Sequence, residues 1–108
     1  MKAAFYNRRV EKDFRKLPVG MRKDMARIVQ LMERHGTWNL GLPHVRPIKG
    51  TPLYEIRLHD ASGIARAMFV SLEPEELLVL HVFVKKTQTT PKQDIDLAMK
   101  RLKEASHD

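Results

Sequence analysis

Residues 53–70 read LYEIRLHDASGIARAMFV, and this stretch decides the fold. Apolar and polar side chains alternate from Leu53 to His59, Asp60 to Gly63 supplies turn residues, and Ile64 to Val70 returns as a second strand. With the turn closed over Asp60–Gly63, residue 59 pairs with 64, 57 with 66 and 55 with 68. Arg57 then lies directly opposite Arg66. Like charges in that position destabilise a strand pair, so the two guanidiniums call for an acid or for an anionic ligand. A diagonal pair between Glu55 and Arg66 answers the first need. A phosphate held by a fork of two arginines answers the second, because guanidinium binds phosphate oxygens bidentately.

Downstream, Leu77 to Lys85 reads as a further strand entered through the Glu73-Pro74-Glu75 turn. Leu78, Leu80, Val82 and Val84 share one parity and are expected to face helices, which puts His81, Phe83 and Lys85 on the opposite side. There they would join Glu55, Arg57 and Arg66, while Tyr54, Ile56 and Leu58 with Ala65, Ala67 and Phe69 form the core side. Thr90-Pro91-Lys92-Gln93 has the pattern of a capping box, with threonine as N-cap and proline at the first helical position. Ile95, Ala98, Met99 and Leu102 make the apolar stripe of the helix that follows.

Upstream, Phe5 and Tyr6 suggest a short edge strand, and Asn7 caps a first helix with Val10, Phe14 and Leu17 on one stripe. Pro18 ends it. A second helix is predicted over Val19–His35, burying Met21, Met25, Ile28, Val29 and Met32, with Gly36 as its stop. The two form a helical hairpin. Residues 37–52 hold proline and glycine breakers without periodicity and read as a structured loop within a single domain covering residues 1–108. The fold class is α+β: a helical hairpin packed on one face of a small antiparallel sheet, with a C-terminal helix and the other face open.

The chain has 108 residues, 20 Lys and Arg against 13 Asp and Glu, a net charge of +7, and no cysteine. Disulfides, zinc ribbons and thiol nucleophiles are excluded, and a reducing cytoplasm is the natural compartment. No apolar run approaches the roughly 20 residues of a membrane span. The charge excess lies mostly in residues 1–36, where Arg8 and Arg9 open the first helix. That row of cations is either a solvated helix face or an attraction for a polyanion.

Three segments carry a family resemblance: IKG with LYEIR (Ile48 to Arg57), then Arg66 and Phe69, then LHVFVKKTQTTP (Leu80 to Pro91). The chain resembles the RelE/ParE superfamily of toxins from bacterial toxin–antitoxin modules, in its phage-derived, Gp49-like, HigB-type branch. The resemblance covers nearly the whole chain, and FVKKTQTTP is its most specific part. It implies a RelE-like fold, a toxin that cleaves mRNA on the translating ribosome, and neutralisation by a helix-turn-helix antitoxin. It also implies that the working residues are cations on the open sheet face, which carries over to Arg57, Arg66, Lys85 and Lys86. Lys49 and Arg46 in the preceding loop, with Arg8 and Arg9, are the expected further RNA contacts.

Chemically, RNA supplies its own nucleophile, the 2′-hydroxyl, so no cofactor or metal is expected. The arginines would hold the phosphate, Lys85 or Lys86 would protonate the leaving oxygen, and Glu55 or His81 would serve as base. For His81 a buried, hydrogen-bonded strand histidine is the competing reading. Trp38 and Tyr54 either stack on bases or pack. Two other classes compete with the nuclease: a ParE-like toxin acting on DNA gyrase, which generally lacks this basic constellation, and a non-catalytic RNA- or ribosome-binding module.

Overall fold

A computed structural model describes residues 2–35, 44–72, 76–84 and 90–106. Eight elements follow in order: β1 (Lys2–Phe5), α1 (Arg8–Arg15), α2 (Val19–His35), β2 (Val45–Pro47), β3 (Tyr54–Asp60), β4 (Gly63–Leu72), β5 (Glu76–Val84) and α3 (Lys92–Ala105). They form a five-stranded sheet in the order β1-β5-β4-β3-β2. The α+β class and the terminal helix are as the sequence predicts, but the sheet is mixed, because β1 runs parallel to β5 while the remaining pairs are antiparallel. The breaker-rich loop also contributes a strand of its own, β2, at the edge beside β3.

The decisive hairpin has the expected register, with Arg57 opposite Arg66 and His59 opposite Ile64. Its turn is held by the Asp60 carboxylate, which accepts from the Ser62 amide at 2.7 Å and the Ser62 hydroxyl at 2.6 Å, a local bond that favours the turn over continued strand. Gly63 sits at φ +145°, where a side chain would be strained.

At the N-terminus Asn7 caps α1 by accepting from the Val10 amide at 2.9 Å. Helix α1 lies over β5 and β1, and α2 lies over β3. Between them and the sheet is one apolar cluster containing Val10, Met21, Met25, Ile28, Met32, Ile56, Leu58, Phe69 and Val79. Tyr54 joins it, stacked on Phe69 with ring centroids 5.7 Å apart.

The uniform parity expected for β5 does not survive. Met68 pairs with His81 but Phe69 pairs with Val79, so Leu80 is an extra residue in β5, a bulge. Leu77, Val79 and Val82 consequently face α1 and α2, whereas Leu78, Leu80 and Phe83 face the other way. The carbonyl of Leu80 accepts from Arg101 of α3 at 2.7 Å. Nor is the second face wholly open: α3 covers part of it, packing Ala98, Ile95, Met99 and Leu102 on Leu53, Met68, Val70 and Leu80. No helix among the described residues is long and apolar enough to cross a membrane.

Candidate nucleic-acid interface

Beside the patch covered by α3, the same sheet face turns polar. Strand alternation and register bring His44 and Arg46 from the β2 side, Glu55, Arg57 and His59 from β3, and Arg66 from β4 onto it. At its centre Glu55 and Arg66 are both 0% exposed. Arg66 Nη1 donates to Glu55 Oε2 at 3.3 Å and to the Thr90 hydroxyl, which in turn donates to the same carboxylate oxygen at 2.6 Å. Burial draws the Arg66 guanidinium below its ordinary value, Glu55 opposes that fall, and Arg46 and Arg57 add to it by repulsion.

Glu55 Oε1 meets the Arg46 guanidinium at 3.4 Å, and the Arg46 side chain is 53% exposed. One carboxylate therefore links a buried arginine to a solvent-facing one. Arg46, Pro47, Ile48, Lys49, Glu55 and Thr90 line a groove of about 380 Å³ above this link. Lys49 reaches its rim from a turn in which Thr51 N–H donates to the Ile48 carbonyl at 3.2 Å and Gly50 takes φ +79°. Arg57 is half-buried, and its Nε, itself buried, has no hydrogen-bond partner among the described residues.

The structure thus gathers Arg46, Lys49, Glu55, Arg57 and Arg66 at one place. His81 lies apart from them beneath α3, its Nε2 2.7 Å from Asp94 Oδ1 and its ring stacked on Phe83, which matches the buried-histidine alternative. Arg8 and Arg9 line a shallow basic surface with Lys12 and Arg15 on α1, on the opposite side of the sheet. Lys85, Lys86 and Trp38 lie outside the described residues. Thr90 does not cap α3: Pro91 occupies the N-cap position without a side-chain bond, because the threonine hydroxyl is held between Glu55 and Arg66.

Three residues of this face escaped the sequence reading. His59 shares the parity of Arg57 and follows from the same alternation. His44 sits among prolines and glycines where no strand pattern shows, and Thr90 carried a cap signature that masked its other use.

A family model described as "Phage derived protein Gp49-like (DUF891)" matches residues 12–103. The chain belongs to that family. Curated relatives include the "Probable endoribonuclease HigB1" of Mycobacterium tuberculosis, in strains CDC 1551 / Oshkosh and ATCC 25618 / H37Rv. Each is 34% identical over 93 residues, covering 86% of this chain and 70% of the relative. This Gp49-like chain is accordingly a HigB-type member of the RelE/ParE superfamily. Every described residue of the gathered arginine face lies inside the matched region, while Arg8 and Arg9 precede it.

Proposed function

We propose that this protein is the toxin of a toxin–antitoxin module and acts as an endoribonuclease on mRNA. The observation that carries the reading is the register of Arg57 against Arg66 on a face rimmed by Arg46 and Lys49. The HigB1 relatives, named as probable endoribonucleases, support the same reaction class. Arg57, Arg46 and Lys49 contact the phosphate backbone. Arg66 is the buried anchor that fixes Glu55, and through it Arg46, so that the outer cations are held in place before RNA arrives. Cleavage proceeds by attack of the RNA 2′-hydroxyl on the adjacent phosphorus, with Arg57 stabilising the charge that develops there. Lys85 and Lys86 add to that field.

The basic surface of α1, on the far side of the sheet, suits a second polyanion, and we assign it to ribosomal RNA during translation-coupled cleavage. A helix-turn-helix antitoxin neutralises the toxin, and the complex works in the cytoplasm. The test is addition of purified protein to a cell-free translation extract, followed by mapping of mRNA ends. New ends that appear with wild type and vanish with Arg57→Ala are expected. Intact mRNA with and without ribosomes overturns the reading.

A further inference from the structure

The two histidines of the polar face meet beside Arg57. The Arg57 amide donates to the His44 carbonyl at 2.8 Å, which sets His44 across from Arg57, and His59 follows Arg57 by two residues on the same side of β3. Their rings stand edge to face with centroids 5.1 Å apart and planes at 62°. Both residues are half-buried, open enough to be reached and enclosed enough to be held.

The backbone under this pair is fixed from a third element. Where β2 gives out, Asp24 of α2 takes over the edge of β3: its Oδ2 accepts from the His59 amide at 2.9 Å, and its Oδ1 accepts from Arg27 at 2.6 Å. The ring of His59, by contrast, is not used as a linker, since its Nδ1 is buried without a hydrogen-bond partner among the described residues. His81 has an unpartnered Nδ1 as well, but its Nε2 holds α3 to the sheet through Asp94. Among the described residues no third histidine or carboxylate completes a metal-binding set with the pair. The charged groups around it are Asp24 and Arg27 from α2, Arg46 from β2, Arg57 and Asp60 from β3, and Arg66 from β4. The Asp60 carboxylate is engaged by Ser62.

We propose that His44 and His59 are the acid–base pair of the cleavage site, with an RNA phosphodiester lying across their shared edge toward Arg57. The inference rests on the ribonuclease reading above. One neutral imidazole takes the proton of the 2′-hydroxyl as that oxygen bonds to phosphorus. The other, as imidazolium, gives its proton to the 5′-oxygen as the P–O5′ bond breaks. The products are a 2′,3′-cyclic phosphate and a 5′-hydroxyl, and the pair as a whole gains and loses one proton. Because the rings touch, the phosphate lies beside them and not between their faces, which is where Arg57 stands.

The experiment measures RNA cleavage, RNA binding and thermal unfolding for wild type, His44→Gln and His59→Gln across pH. Each variant is expected to lose about 10²- to 10⁴-fold in cleavage rate while binding RNA and unfolding as wild type does. The wild-type rate is expected to follow a bell-shaped pH profile, as a base and an acid acting together give, and each variant to lose one limb of it. Added imidazole is expected to restore part of the rate to His59→Gly. Cleavage at the wild-type rate in both glutamine variants, or a wild-type profile without a bell, overturns the pair and leaves the nuclease reading standing. A wild-type protein that cuts no RNA overturns both. Even if a variant fails to fold, a wild-type profile without a bell still overturns the pair.

Discussion

Arg57 and Arg66 are paired across two strands, yet the buried carboxylate of Glu55 lies 3.3 Å from Arg66 while the Nε of Arg57 has no hydrogen-bond partner among the described residues. Two like charges in one register therefore have different work. Glu55→Gln leaves Arg66 buried without its counter-charge, a change that in comparable pairs destabilises by about 3–5 kcal/mol. Arg57→Ala removes a half-buried cation whose nearest cross-strand neighbour repels it, so little stability is lost. Urea titration is expected to separate them, with a large drop in midpoint for the first and a small one for the second. Cleavage should fall about 10²- to 10³-fold for Arg57→Ala, the typical effect of losing one preorganised donor.

Thr90 offers a test between its two possible structural uses. As a helix cap it would be replaced by valine at a loss of about 1 kcal/mol. Held between Glu55 and Arg66, it leaves two buried charged groups short of a partner, and about 2–3 kcal/mol is expected for Thr90→Val. Thr90→Ser keeps the hydroxyl and should stay near wild type. Calorimetry of the two variants checks this.

Gly20, near the start of α2, should respond to alanine with the opposite sign to a usual helix position. Replacing glycine by alanine within a helix ordinarily stabilises by up to about 1 kcal/mol. Here a Cβ would stand 2.7 Å from the Cβ of Asp60, too close to be relieved by turning a side-chain tip, so the end of the hairpin must shift. Gly20→Ala is expected to lower the unfolding midpoint.

Asp24 gives a pH-dependent contribution. Burial pushes its carboxyl up, but the His59 amide, the Arg27 guanidinium and the nearby His44 together hold it below the usual carboxylate range. The unfolded chain, with its aspartate near 3.9, then binds more protons through that region, and stability rises with pH there. The contribution is fully present above about pH 5 and is lost as pH falls through the depressed folded value. Asp24→Asn should therefore be less stable than wild type at neutral pH by about 1–3 kcal/mol. The gap is expected to close toward pH 3, as read by urea midpoints at each pH.

Arg8 and Arg9 address the second basic surface. Arg9, itself exposed, has a half-buried neighbour in Asp13 at 3.4 Å, a surface pair too weak to hold it from a phosphate. Replacing both arginines by glutamine should weaken binding to single-stranded RNA uniformly across sequences and reduce the slope of log affinity against log salt by about 1.4 if each meets one phosphate. Filter binding at several salt concentrations measures the slope.

Much of this was legible in the sequence where local chemistry dictates the outcome. The Asp60–Gly63 turn sets the register that brings Arg57 to Arg66, Asn7 declares the start of α1, and the methionine stripe of α2 declares its buried face. What was hidden depends on contacts between distant segments. Leu77 to Leu80 is uniformly aliphatic because the middle of β5 is covered on both faces, so periodicity could not disclose that the strand slips by one residue at Leu80. His81 keeps the expected face opposite Met68, and it is the docking of α3 through Asp94 that takes it out of the polar cluster. Thr90 carried a cap signature that a buried ion pair overrode, and His44 joined the polar face only because a three-residue edge strand forms where prolines and glycine suggested none.

The pairing of β1 with β5 bears on how the protein comes into being. Lys2 meets Glu76, and Tyr6, next to β1, hydrogen-bonds to Glu104 with Arg101 over its ring. During synthesis β1 leaves the ribosome before β5 and α3 do. It waits there as an unpaired strand edge while α1, α2 and the central hairpin are made, and non-local pairing of this kind is the slow part of folding. A chain interrupted before Glu76 lacks the strand that seats β1 and also Thr90, so it supplies neither a closed sheet nor a complete groove. The sheet is completed, and the groove gains Thr90, only after β5 and the segment that follows it have been made.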